Sequence, residues 1–565
     1  MLLNSVGKSD AVLMLSNLTR TAQPLSFLFT STLYLSSLRS RFPSGLSTLW
    51  ASSFDNNSPS TMLLTIPSVP RLVVIPLFLF ICGIFFIPRG YHGSGALNMP
   101  LLTGKNLTAA SSTFNTPVRD FWQELATALL QSQPQCESLR LEEESDSGLT
   151  IDFLPLQPHQ EHPDRILNLS DKEETALFRS HYTMRKSAQR LAPKLQFAKG
   201  TTGIVTTADA FYLPVFLVSL RMLRKTGCNL PVEVFIDDWT KYDSTLCDAV
   251  LPSLNARCVV LSNIYETAAR AKPPSHYQYK IFAILFSSFQ HVLFLDSDAF
   301  PTEDPARLFS TAPYTTHGLV TWPDFWAQTI SAHFYHIAAI PEVPSQSRLS
   351  TESGQLLINK DVHRASLLMM VYYNYYGPDY YYILLSQGSP GAGDKETFVQ
   401  AALAVSLPYY QVQTPPGVLG SHMNGTFRGI GIAQADPILD YEYLSPMRSH
   451  IHPDKVWQNV DLAHLDTKVD EGQNKMHKAP QKPRPIFVHQ NNLKLDPAKI
   501  LDDDRVYGSD NRPCRIWGDK KDRVKEFGLD AERRLWNVIT EEGCRLDEAS
   551  DTCMRLTKYV DGVLD

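Results

Sequence analysis

From about residue 195 onward the chain alternates short β-branched, apolar runs with longer stretches whose apolar residues recur every three or four positions. GIVTT (203–207), PVEVFI (231–236), RCVVL (257–261) and HVLFL (291–295) read as strands. Between the first two lies AFYLPVFLVSLRMLRKTG (210–227), which reads as a helix with Asp209 placed to cap it, Pro214 in its first turns and Gly227 placed to end it. A second apolar helix, YQYKIFAILFSSF (277–289), leads into HVLFL, and LLIN (356–359) adds a later strand. Strands alternating with helices of this length predict an α/β fold: a Rossmann-like, largely parallel sheet with helices on both faces. The catalytic part is expected over 195–500.

Ahead of it the pattern changes. Leu72–Ile87 carries no charge and is bracketed by Arg71 and Arg89, so 71–88 reads as a transmembrane signal-anchor. It would reach only about 27 Å at 1.5 Å per residue, which suits a thin bilayer. Lys8, Arg20, Arg39, Arg41 and Arg71 precede the span, and that bias predicts a cytosolic amino terminus. The expectation is a single-pass type II membrane protein of the Golgi, with 1–70 a disordered cytosolic tail and 89–194 a lumenal stem. A cleaved signal peptide is the rival reading, but the apolar run begins some 70 residues in and no cleavage site follows closely. Sequons at Asn106, Asn168 and Asn424 agree with a lumenal body. After Asp496 the chain becomes charged and then helix-like (DAERRLWNVITEEGCR), so 501–565 reads as a C-terminal extension.

Composition narrows the classes. In 565 residues, 43% hydrophobic and 19% charged positions are ordinary globular values, and a formal charge of −6 with no basic stripe gives no reason to expect nucleic acid. Eight cysteines contain no C-x-x-C pair, which points away from a zinc site and toward disulfides. Cys544 with Cys553 is the pairing nearest in sequence.

The candidate chemistry sits at the end of the fourth predicted strand, where HVLFL runs into Asp296-Ser297-Asp298. Open α/β sheets place their ligands at this carboxyl edge. Carboxylates at i and i+2 of an extended segment face one side and suit a hard cation, Mn²⁺ or Mg²⁺, that neutralises a departing diphosphate. The alternative is a turn cap continued by PTEDP. The strand ladder upstream favours the ligand site.

The segment from about Lys199 to Pro497 resembles the fungal α-mannosyltransferases that extend and branch mannan. The likeness is carried by GIVTTADAFYLPVFLVSLRMLRKTGCNLPVEVFI, YQYKIFAILFSSFQHVLFLDSDAFPTEDP, TWPDFW, ESGQLLINK, GDKETFVQAA and FVHQNNLKLDP. It implies a GT-A-type nucleotide-diphospho-sugar transferase that is retaining and transfers mannose from GDP-mannose to N-glycan or mannan acceptors in α linkage, α-1,2 in the relatives. It also implies association with other Golgi glycosyltransferases. By this resemblance Thr206, Thr207 and Tyr212 line the nucleotide pocket. Lys280 meets the diphosphate beside Asp296, although an apolar helix can also simply snorkel a lysine. His489 joins Asp296 and Asp298 as the third metal ligand, its alternative being a hydrogen-bonded structural histidine. Trp322, Asp324 and Trp326 face the acceptor, or else the aromatics are core. Asp394, Glu352 and Gln355 stand where donor and acceptor meet, with Asp394 ranked first for orienting a hydroxyl and serving equally as a helix N-cap. Three rivals remain open: a UDP-sugar donor, a metal-dependent phosphohydrolase of the haloacid-dehalogenase type, and an inactive glycan-binding relative.

Overall fold

The computed structural model of the chain describes residues 116–141, 167–344, 347–423, 425–448 and 483–564. Eleven strands are described in two sheets. β1 (Ala198–Thr207), β2 (Val232–Ile236), β3 (Ala256–Val260), β4 (Phe289–Leu295), β6 (Leu319–Ala327), β7 (Leu349–Asn359) and β8 (Tyr410–Gln411) form a seven-stranded sheet in the order β3-β2-β1-β4-β7-β6-β8. β3, β2, β1 and β4 run parallel, as the alternating pattern predicts. The expectation of a largely parallel sheet needs correction beyond β4, because β7 runs antiparallel to both β4 and β6. The sheet is mixed.

Alternation along the central strands feeds two cores. Val292 and Phe294 of β4 enter one with α4 (Gln278–Phe286) and α5 (Arg364–Tyr375), while Leu293 and Leu295 enter the other with α3 (Leu213–Lys225). A period of two is what lets one apolar strand face helices on both sides. α3 begins at Leu213; Asp209 closes the turn before it, accepting the N–H groups of Phe211 and Tyr212 at 2.9 Å each.

The segment read as a stem contributes α1 (Thr116–Gln131) and α2 (Asp171–Leu191), whose Trp122, Leu125, Leu177 and Met184 are buried in the first core. A second, antiparallel sheet orders β5 (Ala299–Pro301), β11 (Pro485–His489), β10 (Thr426–Ala435) and β9 (Gly417–Met423). Its core takes in Val215, Val218 and Met222 of α3 together with Leu535 and Trp536 of α7 (Ala531–Cys544) and Leu556 of α8 (Asp551–Val563). The carboxyl-terminal helices are therefore part of the wall behind the acidic pair. Disulfides join Cys247 to Cys258 and Cys544 to Cys553.

The Golgi single-pass localisation does not stand. Among the described residues no helix is long and apolar enough to cross a membrane. The apolar run 71–88, the tail 1–70, and the sequons at Asn106 and Asn424 lie outside the described residues, whereas Asn168 is exposed.

One buried acid in the third core has a measurable consequence. Glu532 is fully buried; one of its oxygens accepts the Ile516 N–H at 2.6 Å and the other lies 3.3 Å from Arg515, which also pairs with Asp530. Burial pushes its carboxyl up to about 7 against the pull of Arg515. A folded-state pKa above the unfolded one stabilises the fold fully at acid pH and loses that contribution as pH rises through about 7. Chemical denaturation is expected to show a loss on the order of 2 kcal/mol between pH 5 and pH 8. Glu532→Gln should flatten that dependence; an unchanged pH profile in the variant would reject the assignment.

Candidate active site

Asp296 and Asp298 leave the end of β4 side by side, and the short strand β5 follows at once. β5 pairs antiparallel with β11, setting His489 opposite Ala299, and the Gln490 N–H donates to the Asp298 carbonyl at 2.9 Å. This pairing brings the late histidine to the acidic pair. His489 Nε2 lies 3.1 Å from Asp298, and its Nδ1 lies 2.9 Å from Glu352 of β7. Lys494 Nζ reaches the other oxygen of Asp298 at 2.5 Å.

On the opposite side of the pair stands Lys280, on α4. Its ammonium lies 3.3 Å from Asp296 and 3.2 Å from Asp394, and donates to the Ser353 carbonyl at 2.7 Å and the Ser353 hydroxyl at 3.0 Å. Ser353 Oγ donates in turn to Asp394 at 3.1 Å. One lysine thus joins the end of β4 to the loop before α6 (Thr397–Ala404).

The backbone of β7 permits this crowding. Gly354 donates its N–H to Glu352 at 2.6 Å and its carbonyl accepts the Asp296 N–H at 2.8 Å. A Cβ on Gly354 would stand 2.4 Å from His489 Nδ1 and 2.8 Å from the Glu352 carboxylate, so only glycine lets the imidazole in.

The charges are mutually set. Burial opposes ionisation of Asp298, yet His489 and Lys494 hold its carboxyl far below the usual range. Burial works against the His489 imidazolium, but Glu352 and Asp298 raise its pKa well above the ordinary histidine value. Lys280 is likewise raised, as Asp296, Asp394 and Glu352 outweigh burial. Asp296 is pushed up, by burial first and by the neighbouring Asp298 and Asp394; with 28% of its side chain exposed, it is the open carboxylate of the set.

Other expected site residues fall elsewhere. Thr206 is fully buried, its hydroxyl without a partner among the described residues; Thr207 and Tyr212 are part-exposed. The Tyr212 ring lies 5.4 Å from the Lys494 ammonium. Trp322 is core: its indole N–H donates to the Ala435 carbonyl at 2.8 Å and its ring meets Phe487 edge-on, so it offers no face to a sugar. Trp326 is half-buried, and Asp324 is paired at 3.4 Å with Lys395. Gln355 is fully buried and donates to Glu352.

The sequence reading overlooked Lys494, Ser353 and a buried ion pair just beyond Asp394. Arg348 and Glu396 meet at 2.5 Å with 2% exposure each, and Glu396 also accepts the Thr351 N–H at 2.9 Å. Lys494 lies within the quoted run FVHQNNLKLDP, five residues after His489. Nothing in the pattern says it turns toward Asp298.

Among the described residues no group of three or more His, Cys, Asp or Glu side chains is gathered as a ready-made metal shell. The donor types nevertheless suit a hard divalent ion: two carboxylates, and a histidine whose Nδ1 is engaged by Glu352 while Nε2, turned to Asp298, would give up its proton on coordination.

Sequence comparison places the chain among the sugar transferases. The family model "Mannosyltransferase putative" matches residues 201–349 and 343–436. The α-1,2-mannosyltransferase MNN21 of Candida albicans is 34% identical over 460 residues, covering 71% of this chain and 67% of that one. The α-1,2-mannosyltransferase MNN2 of Saccharomyces cerevisiae is 32% identical over 425 residues, covering 67% and 70%. The chain belongs to this fungal α-1,2-mannosyltransferase family. The solved structure of the glycosyltransferase GlyE of Streptococcus pneumoniae overlaps 38% of this chain and 45% of its own at 13% identity and a TM-score of 0.26, too loosely to bear on function.

Proposed function

We propose that the chain transfers mannose from GDP-mannose to a hydroxyl of a mannose-containing N-glycan or mannan, forming an α-1,2 linkage with retention, on a catalytic unit of the GT-A type. The observation that carries this is the alternation of acids and cations at the carboxyl edge of β4: Asp296 and Asp298 interleaved with Lys280, His489 and Lys494. A nucleoside diphosphate needs positive charge on its phosphates, and carboxylates are needed only if an ion is to share them.

Asp296, Asp298 and His489 would hold a Mn²⁺ or Mg²⁺ ion. Such an ion supplies Lewis-acid stabilisation to the diphosphate leaving group. Glu352 orients His489 through Nδ1, and Gln355 orients Glu352. Lys280 and Lys494, each now engaged by a carboxylate, are the cations that meet phosphate oxygens as the donor enters. Tyr212 and Thr207 lie on the nucleotide side. Asp394 orients the reacting hydroxyl; it shares Lys280 with Asp296, so one ammonium sets the spacing between donor and acceptor ends.

The phosphohydrolase alternative places its nucleophilic aspartate on the first strand of its domain, whereas Asp296 follows the fourth strand in chain order. The test offers the full chain GDP-mannose, UDP-galactose and UDP-N-acetylglucosamine with Mn²⁺ and an α-mannan acceptor. Transfer from GDP-mannose is expected. Transfer from a UDP sugar alone would overturn the donor, and release of phosphate without sugar transfer would favour the hydrolase.

A further inference from the structure

With Trp322 buried and Trp326 half-buried, the more open aromatic beside Asp394 is Tyr277. Tyr277 precedes the first turn of α4, is 54% exposed, and stands three residues before Lys280, hence on the same side of the helix start. Its ring lies against Gly393, the neighbour of Asp394: a Cβ on Gly393 would stand 2.9 Å and 3.0 Å from two of its ring carbons, and Gly393 has φ +150°. Glycine at 393 is what allows the ring to lie on the main chain there.

The ring is held in place. Its edge contact is Tyr382, centroids 6.3 Å apart at 78°. Tyr382 donates its hydroxyl to Asn374 at 2.8 Å, and Asn374 donates to Thr397 at 3.0 Å. Thr397 Oγ1 donates to the Asp394 carbonyl at 2.6 Å. From the other side, Gln278 donates to the Asn374 carbonyl at 2.7 Å and accepts the Ser275 N–H at 2.8 Å. The same asparagine therefore fixes both the helix start that carries Tyr277 and the loop that carries Asp394.

We infer that Tyr277 is the stacking platform for the pyranose ring of the acceptor, its covered face resting on Gly393 and its open face taking the apolar C–H side of the sugar next to Asp394. The inference rests on the functional reading above only in assigning the Asp394 side to the acceptor. The nucleotide side lies across the pair, where the Tyr212 ring flanks Lys494 and Lys494 meets Asp298. An exposed tyrosine normally keeps its rotamers loose. One seated on glycine and framed by a hydrogen-bonded asparagine has already lost that freedom, so little more is lost when a sugar stacks on it.

The test measures binding of an α-mannooligosaccharide to the full chain without donor, by calorimetry, together with transfer kinetics. Tyr277→Ala and Tyr277→Leu, the second keeping apolar cover over Gly393, are expected to weaken oligosaccharide binding and raise the acceptor KM by about 3- to 10-fold. The donor KM and the thermal midpoint should stay at the wild-type value, and Tyr277→Phe should restore acceptor binding. Unchanged oligosaccharide binding in both variants, an equal rise in donor KM, or no binding by the wild-type chain would each overturn the inference. A wild-type chain that binds the oligosaccharide through Tyr277 but transfers no mannose would instead count against the functional reading alone.

Discussion

Asp298→Asn is expected to lower mannosyl transfer by at least about a hundredfold while leaving the fold intact. The buried Asp298 carboxylate is the partner of both His489 and Lys494, and both hold it ionised. Asparagine keeps its shape and removes the charge. The imidazole and the ammonium then face each other with no anion between them, and the proposed metal loses a ligand. The loss should appear in initial rates at saturating donor and in a raised Mn²⁺ requirement. Asp296→Asn should act similarly on rate, since Lys280 would keep Asp394 as its one paired carboxylate beside its Ser353 hydrogen bonds. Full activity in the double variant Asp296→Ala/Asp298→Ala would remove the metal reading altogether.

The second large effect is on stability. Arg348→Met should cost about 3–5 kcal/mol, read as a shift in chemical-denaturation midpoint, because it strands Glu396 in the interior. Arg348 contributes more than one ion pair, donating also to the Leu349 carbonyl at 2.9 Å and to Thr351 at 3.3 Å. Glu396 follows Asp394 by two residues and ties that segment to β7 through the Thr351 N–H. Activity is therefore expected to fall along with stability. Replacing both partners with apolar residues, Arg348→Met with Glu396→Leu, should return much of the stability but not the activity. A single substitution costing less than about 1 kcal/mol would show the pair to be solvated rather than buried.

The features legible in the sequence are those written in contiguous residues. HVLFL, with its acid pair, is β4 and its edge, and β1 to β4 appear as their apolar runs predict. Cys544 and Cys553, nearest in sequence, are joined, but Cys247 with Cys258, only two residues farther apart, was not singled out by nearness. Long-range pairings are the part the pattern could not carry. LLIN reads as a strand, but a fully buried strand is apolar whichever way it runs, so the antiparallel direction of β7 leaves no trace in its letters. TWPDFW reads either as an aromatic face for sugars or as core, and Trp322 takes the second course on the side of β6 that packs against the second sheet, a sheet no local signal announces. Lys494 and Ser353 are ordinary polar residues until the fold sets them beside a carboxylate.

The β5–β11 ladder also decides how the acidic edge is assembled. Lys494 lies 196 residues from Asp298 along the chain, and His489 lies 137 from Glu352. Within the parallel ladder the longest pairing, β1 with β4, joins residues about 90 apart, whereas β5 with β11 joins Ala299 to His489, about twice that separation and a larger loop-closure cost. A ribosome that has released everything up to β10 has exposed both aspartates and none of the cations at Asp298. The cations at Asp298 are therefore gathered only once the strand at 485–489 has paired with β5, so the finished acidic edge is a property of the whole folded chain rather than of the β1–β4 ladder.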